Sequence, residues 1–185
     1  VGLYKLKLTE EHHMTTHITT RTNSTMSEDE KRVLGRHDQF GVPDLYLNET
    51  ESVFHPWIGD VWLKPLRFDV RNSMYVTILW AKKPSGLGRH RHRGPVTAYT
   101  LEGSWRYEEY DWVARPGDFV QENPGVIHTL TSDTGTKTLF FVQGALEFYD
   151  EEDRLTETQD VFGFMDMYIR YCEENGIPFN EKLIF

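Results

Sequence analysis

Only one cysteine, Cys172, occurs in the 185 residues, so no internal disulfide can form. The expectation is a reducing, cytoplasmic setting. Basic residues are also scarce: 20 Lys and Arg stand against 29 Asp and Glu, a formal net charge of −9. With no basic cluster to neutralise phosphates, the chain does not read as a nucleic-acid binder. Long apolar runs are missing too. The longest, residues 75–81 (YVTILWA), falls far short of the ~20 residues a membrane span needs, so no membrane partner is expected. No succession of basic, apolar and small residues marks a secretory signal. What is present is a globular composition, 38% hydrophobic and 14% aromatic, too rich in apolar residues for intrinsic disorder. The length fits one domain with one core.

Residues 9–27 crowd Thr, His and Ser together without an apolar period. His12, His13 and His17 could form a metal-binding tract, but a His-His-Met string reads better as a tag remnant or flexible arm. Residues 1–26 are therefore set apart, and 27–185 are read as a single domain. Ser27 followed by Glu28, Asp29 and Glu30 predicts a helix N-cap with an acidic first turn. That helix should be short, because Gly35 and then Gly41-Val42-Pro43 interrupt it.

Beyond Pro43 the hydrophobic period becomes two, as in Leu45 and Leu47 or Val61 and Leu63. Residues 74–80 have the β-branched and aromatic content of a strand packed on both faces. Short strand-like runs follow at 96–101, 105–110, 119–122, 126–130 and 138–142. Turn residues separate them, among them Gly94-Pro95, Arg115-Pro116-Gly117-Asp118 and Asn123-Pro124-Gly125. Many short strands at such spacing predict an all-β sandwich or barrel. The chain then turns helical: Val161, Phe164, Met165, Tyr168 and Cys172 keep one face, and Asn175-Gly176 with Pro178 supplies the stop. On that stripe Cys172 reads as a small buried hydrophobe.

The segment Gly88-Arg89-His90-Arg91-His92-Arg93 carries the chemistry. Residues two apart on a strand face the same way, so His90 and His92 present their imidazoles together, with Arg89, Arg91 and Arg93 on the other face. A second segment runs from a Pro116-Gly117-Asp118 turn through a short strand to an Asn123-Pro124-Gly125 turn and His128. The two segments together resemble the paired motifs of the cupin superfamily, which implies a double-stranded β-helix (jelly roll) flanked here by a short N-terminal and a C-terminal helix. His90, His92 and Gly103 match the first motif; Gly117, Gly125 and His128 match the second, with Asn123 in its proline position. Seven residues before Gly103, where most cupins carry a metal-binding Glu, stands Val96. Thr97 has the wrong strand parity to replace it. The expected site is therefore three neutral imidazoles, which leave the full charge of a divalent ion on the metal and favour a chelating oxygen ligand.

Longer runs narrow the resemblance. Residues 88–107, 110–114, 124–130 and 168–175 are similar to bacterial cupins of the 2,4'-dihydroxyacetophenone dioxygenase type, related to the acetylacetone-cleaving group. That resemblance implies non-haem Fe(II) on His90, His92 and His128, dioxygen and a small ketone as substrates, and cleavage of a carbon–carbon bond to give 4-hydroxybenzoate and formate. Ligand type alone also admits zinc or nickel, and hence an isomerase or a non-catalytic metal-binding sensor. Candidate pocket residues are Tyr99, Trp105, Tyr107, Phe119, Gln121 and Gln143; Phe140 and Phe141 lie on the same strands, and for most of these aromatics ordinary barrel core is the simpler reading. Among the polar residues of these strands Glu122, just before the turn to His128, is favoured as an outer partner of a ligand histidine or bound oxygen, against the simpler reading of a solvated strand end. Arg106 is read as a surface partner of Glu108, and His55 and His37 as surface or satisfied histidines. Pairing of exposed sheet edges suggests a homodimer or homotetramer.

Overall fold

A computed structural model describes residues 26–41 and 44–185; the arm with His12, His13 and His17 lies outside the described residues. The described residues fall into two units, divided between Tyr46 and Leu47. In the first, helix α1 spans Glu28–Phe40, and its start is a full capping box. The Ser27 hydroxyl accepts from the Glu30 N–H while the Glu30 carboxylate accepts from the Ser27 N–H. The helix is longer than the sequence suggested. Gly35 costs helix stability without ending it, and the stop comes at Gly41, which leaves helical geometry just ahead of Pro43.

In the second unit eleven strands form two antiparallel sheets. They are β1 (His55–Pro56), β2 (Val61–Asp69), β3 (Met74–Ala81), β4 (Ser85–His92), β5 (Val96–Gly103), β6 (Arg106–Tyr107), β7 (Phe119–Glu122), β8 (Ile127–Ser132), β9 (Thr136–Gln143), β10 (Leu146–Tyr149) and β11 (Leu155–Gln159). One sheet runs β1-β2-β3-β9-β5-β7, the other β11-β10-β4-β8-β6. From β3 to β10 successive strands alternate between the sheets, a two-sheet arrangement of the kind the turn spacing predicted and the jelly roll that the cupin resemblance implied. Residues 45–48 form no strand, because Leu45 and Leu47 find no neighbour to pair with. Strands β10 and β11 went unread: Leu155–Gln159 is almost wholly exposed and carries no alternating apolar signal.

The core lies between the sheets and beneath helix α2 (Val161–Glu174). Val61, Leu63, Phe68, Val96, Trp105, Tyr107 and Leu183 are each no more than 1% exposed. Tyr75 stacks between Phe68 and Phe164, with centroids 5.2 and 4.6 Å away, so α2 is fastened to the sheet by aromatic contact as well as by area. Asp160 caps α2 by accepting from the N–H groups of Phe162 and Gly163. Cys172 is buried in this stripe, as its spacing predicted. Gly103 ends β5 at φ +70°, and a Cβ there would lie 2.1 Å from the Gly135 carbonyl oxygen, so only glycine fits the corner. No helix among the described residues is long and apolar enough to cross a membrane.

His55 takes the satisfied alternative of its reading, and the pairing of Arg106 needs correction. His55 is fully buried, with Nδ1 bonded to the Pro56 carbonyl and the ring against Tyr168 and Tyr171. It is a core residue, and burial pushes its pKa down to about 4 despite the Pro56 bond. Arg106 approaches Asp133 on the neighbouring turn, at 3.8 Å, and not Glu108.

Candidate metal centre

Strands β4 and β8 pair antiparallel with His90 directly opposite His128. His92 follows on the same face of β4. This register places three imidazoles on the inner side of the five-stranded sheet. All three are buried, and their ligand nitrogens lie within 4.8 Å of one another. Ring centroids are 4.6 Å apart for His90–His128, 5.2 Å for His90–His92 and 5.6 Å for His92–His128. The turn before β8 is tied to the end of β4 by the Gly125 N–H, which donates to the His92 carbonyl at 3.0 Å. Gly125 sits at φ +92°, a conformation that favours glycine.

The rings are individually oriented. A bulge between Leu87 and Arg89 turns the Gly88 carbonyl toward His90 Nδ1, 2.8 Å away. A carbonyl only accepts, so Nδ1 carries the proton and Nε2 keeps its lone pair for a metal. Tyr107 lies flat on His128, with centroids 3.7 Å apart and planes 6° from parallel. On the opposite face of β4, Arg91 and Arg93 both donate to Glu147 on β10, at 2.5–2.9 Å and 2.6 Å, and the Tyr149 hydroxyl adds a third donor at 2.8 Å. The arginines interleaved with the histidines therefore brace the strand from behind.

Electrostatics fit a metal. Burial, then repulsion from the neighbouring imidazoles, pushes His92 down to about 2. Burial and His90 push His128 down to about 3, with Glu109 opposing. His90 is lowered by burial as well, against the pull of the Gly88 carbonyl. All three rings are thus neutral at ordinary pH, the state metal ligation requires. His92 Nδ1 and His128 Nε2 have no hydrogen-bond partner. Three neutral, partly orphaned imidazoles are a donor set suited to iron, zinc, copper or nickel.

Glu122 joins them from β7. Its Oε2 lies 3.3 Å from His92 Nε2 and 3.6 Å from His128 Nε2. Neither contact is an ion pair, because both rings are neutral. Burial pushes the carboxyl up to about 7, with Tyr107 pulling the other way.

A cavity of about 450 Å³ opens onto His128 and Glu122. Tyr107, Tyr110, Trp112, Val113, Phe119, Gln121 and Val126 are among its walls, and Tyr110 stacks on Trp112 at 5.8 Å. Of the residues singled out as pocket candidates, Tyr107, Phe119 and Gln121 line this cavity. Tyr99 and Gln143 are exposed elsewhere on their strands. Trp105 is core, its Nε1 donating to Thr100 Oγ1 at 2.8 Å. Tyr110, Trp112 and Val126 went unnamed as walls. The signal was the aromatic run of Tyr107, Tyr110 and Trp112, too dense for an ordinary turn. A smaller cavity of about 40 Å³ lies behind His90 and His92, lined by Leu79, Leu87, Phe140 and other apolar side chains.

These features belong to a cupin, and residues 43–147 match the family model of the ChrR cupin-like domain. The chain belongs to that family. Among solved structures it is similar to an RmlC-like cupin protein from Ralstonia eutropha JMP134, at 30% identity over 76% of this chain and 94% of that one, with a TM-score of 0.73. A second cupin-like protein from the same organism matches at 23% identity over 63% and 75% of the two chains, TM-score 0.60. An acetylacetone dioxygenase from Acinetobacter johnsonii matches at 14% identity over 70% of this chain and 92% of that one, TM-score 0.62, a likeness of fold. No curated protein matches the chain.

Proposed function

We propose that this protein is an Fe(II)-dependent dioxygenase that cleaves a carbon–carbon bond in a small aromatic α-hydroxyketone such as 2,4'-dihydroxyacetophenone. The observation that carries the reading is the meeting of three neutral imidazoles with a cavity of aromatic walls. About 450 Å³ suits a single-ring substrate. The Tyr110–Trp112 stack and Phe119 offer flat apolar faces to an aromatic ring. Glu122 lines that cavity beside His92 and His128, where it meets whatever the imidazoles hold. Bound iron would supply the redox chemistry of dioxygen; the protein's part is to hold the metal, orient the ketone and keep water out.

Iron-loaded protein should consume dioxygen with 2,4'-dihydroxyacetophenone and release 4-hydroxybenzoate and formate in equal amounts. A second reading is supported by the family itself: a metal-binding cupin module without turnover. Protein that retains zinc, and shows no oxygen uptake with iron over a panel of small ketones, would favour that module and overturn the enzyme.

A further inference from the structure

Glu122 is 6% exposed, and no hydrogen bond of ordinary length and alignment reaches either of its carboxylate oxygens. A buried carboxylate without donors is costly unless a cation meets it. The Tyr107 hydroxyl lies near it, and His92 Nε2 and His128 Nε2 lie 3.3 and 3.6 Å from Oε2. The carboxylate thus lies beside two of the three imidazoles, close enough for one ion to meet all of them. Glu109, the other acid near His128, is already engaged, its Oε2 accepting from the Thr129 N–H at 2.9 Å.

The strand register explains how the residue arrives. Val96 on β5 and Glu122 on β7 are direct antiparallel partners. Both side chains face the core, at 0% and 6% exposure. Directly opposed residues have Cβ atoms about 5 Å apart, a gap that the length of a Glu side chain spans. Val96 itself offers no ligand atom, and its partner across the ladder does.

We propose that Glu122 is a fourth metal-binding side chain of this site, a carboxylate delivered across the strand pair from β7. The inference rests on the metal-binding reading of His90, His92 and His128. A carboxylate there offsets one of the metal's two positive charges and leaves a six-coordinate ion two positions for outside ligands in place of three.

The test uses full-length protein stripped of metal and titrated with Co(II) as the probe, read by affinity and by the intensity of the visible cobalt bands, which reports coordination. Four proteins are compared: the parent, Glu122→Gln, the exchange pair Glu122→Val with Val96→Glu, and His92→Ala. Glu122→Gln should lose at least about tenfold in affinity and change the cobalt spectrum. The exchange pair, which moves the carboxylate to the facing position, should recover most of the affinity and a parent-like spectrum. Glu122→Gln with parental affinity and an unchanged spectrum would overturn the proposal while leaving the three-histidine site standing. A parent that binds no more tightly than His92→Ala would overturn the histidine reading, and the proposal with it. Circular dichroism establishes that each metal-free variant is folded; should the exchange pair not fold, Glu122→Gln alone decides.

Discussion

Tyr107 covers one whole face of His128, from a strand that the buried Trp105 anchors edge-on to it. The stack fixes the imidazole plane without using either ring nitrogen, so orientation and ligation are separable by mutation. Tyr107→Phe keeps the ring and should keep metal affinity within about threefold, whereas Tyr107→Leu frees the imidazole and should cost about tenfold. Metal titration of the two variants checks this. Equal losses in both would assign the effect to the hydroxyl.

His92→Ala should remove metal and activity together. His90 and His128 remain opposite one another, but two imidazoles hold a divalent ion far less firmly than three. Metal content after purification, read beside oxygen uptake, measures both. Full metal occupancy in the variant would contradict the ligand assignment.

The Arg91–Glu147–Arg93 bridge gives acid sensitivity a definite sign. Burial alone would push Glu147 up, but hydrogen bonds from Tyr149, Arg91 and Arg93 pull it down to about 2, from a usual value of 4.5. A carboxylate lowered by folding contributes stability that is fully present above pH 4.5 and is lost as pH falls from there toward 2. Glu147→Gln should therefore lower the thermal midpoint at pH 7, by about 2 kcal/mol in stability terms because the arginines lose a buried partner. The gap between parent and variant should close between pH 4.5 and 2. A gap that is flat across that range would mean the bridge does not titrate as described.

Residues 9–26 offer no apolar period to pack, so deletion of the arm 1–26 should leave metal content and thermal midpoint unchanged. A large drop in either would make the arm structural.

How much of this could be read from the chain depends on the range over which each feature is encoded. His90 and His92 share a face by strand alternation, and Gly125 announces the turn before His128, so these were legible from a few neighbouring residues. Strands β7 and β9 and helix α2 announced themselves through turn residues and apolar period in the same way. Glu122 was noticed for its place before a turn, but its distance from His92 follows from the pairing of β5 with β7 across the long excursion between them. The bracing of Arg91 and Arg93 by Glu147 joins residues more than 50 apart in sequence, and no local pattern carries it. Helix α1 passes through Gly35 because a propensity cost of about 1 kcal/mol is smaller than the support of a capping box and flanking ion pairs.

Val96→Glu tests the charge balance of the centre from the other side. Val96 is fully buried and faces Glu122, so the substitution sets two carboxylates against each other across one strand pair. Without metal they repel, and the new one has no donor to meet it. The metal-free variant should be destabilised by about 3 kcal/mol, on the order of 10 °C in thermal midpoint for a domain of this size. A divalent ion would attract both acids, so metal should raise the midpoint of the variant by more than it raises that of the parent. Under the dioxygenase reading, the added anion also weakens the pull of the metal on a chelating ketone and crowds the positions the ketone needs. Metal content should then match the parent while oxygen uptake falls. Undiminished turnover at full metal loading would show that the absence of a carboxylate at position 96 does not matter to the reaction.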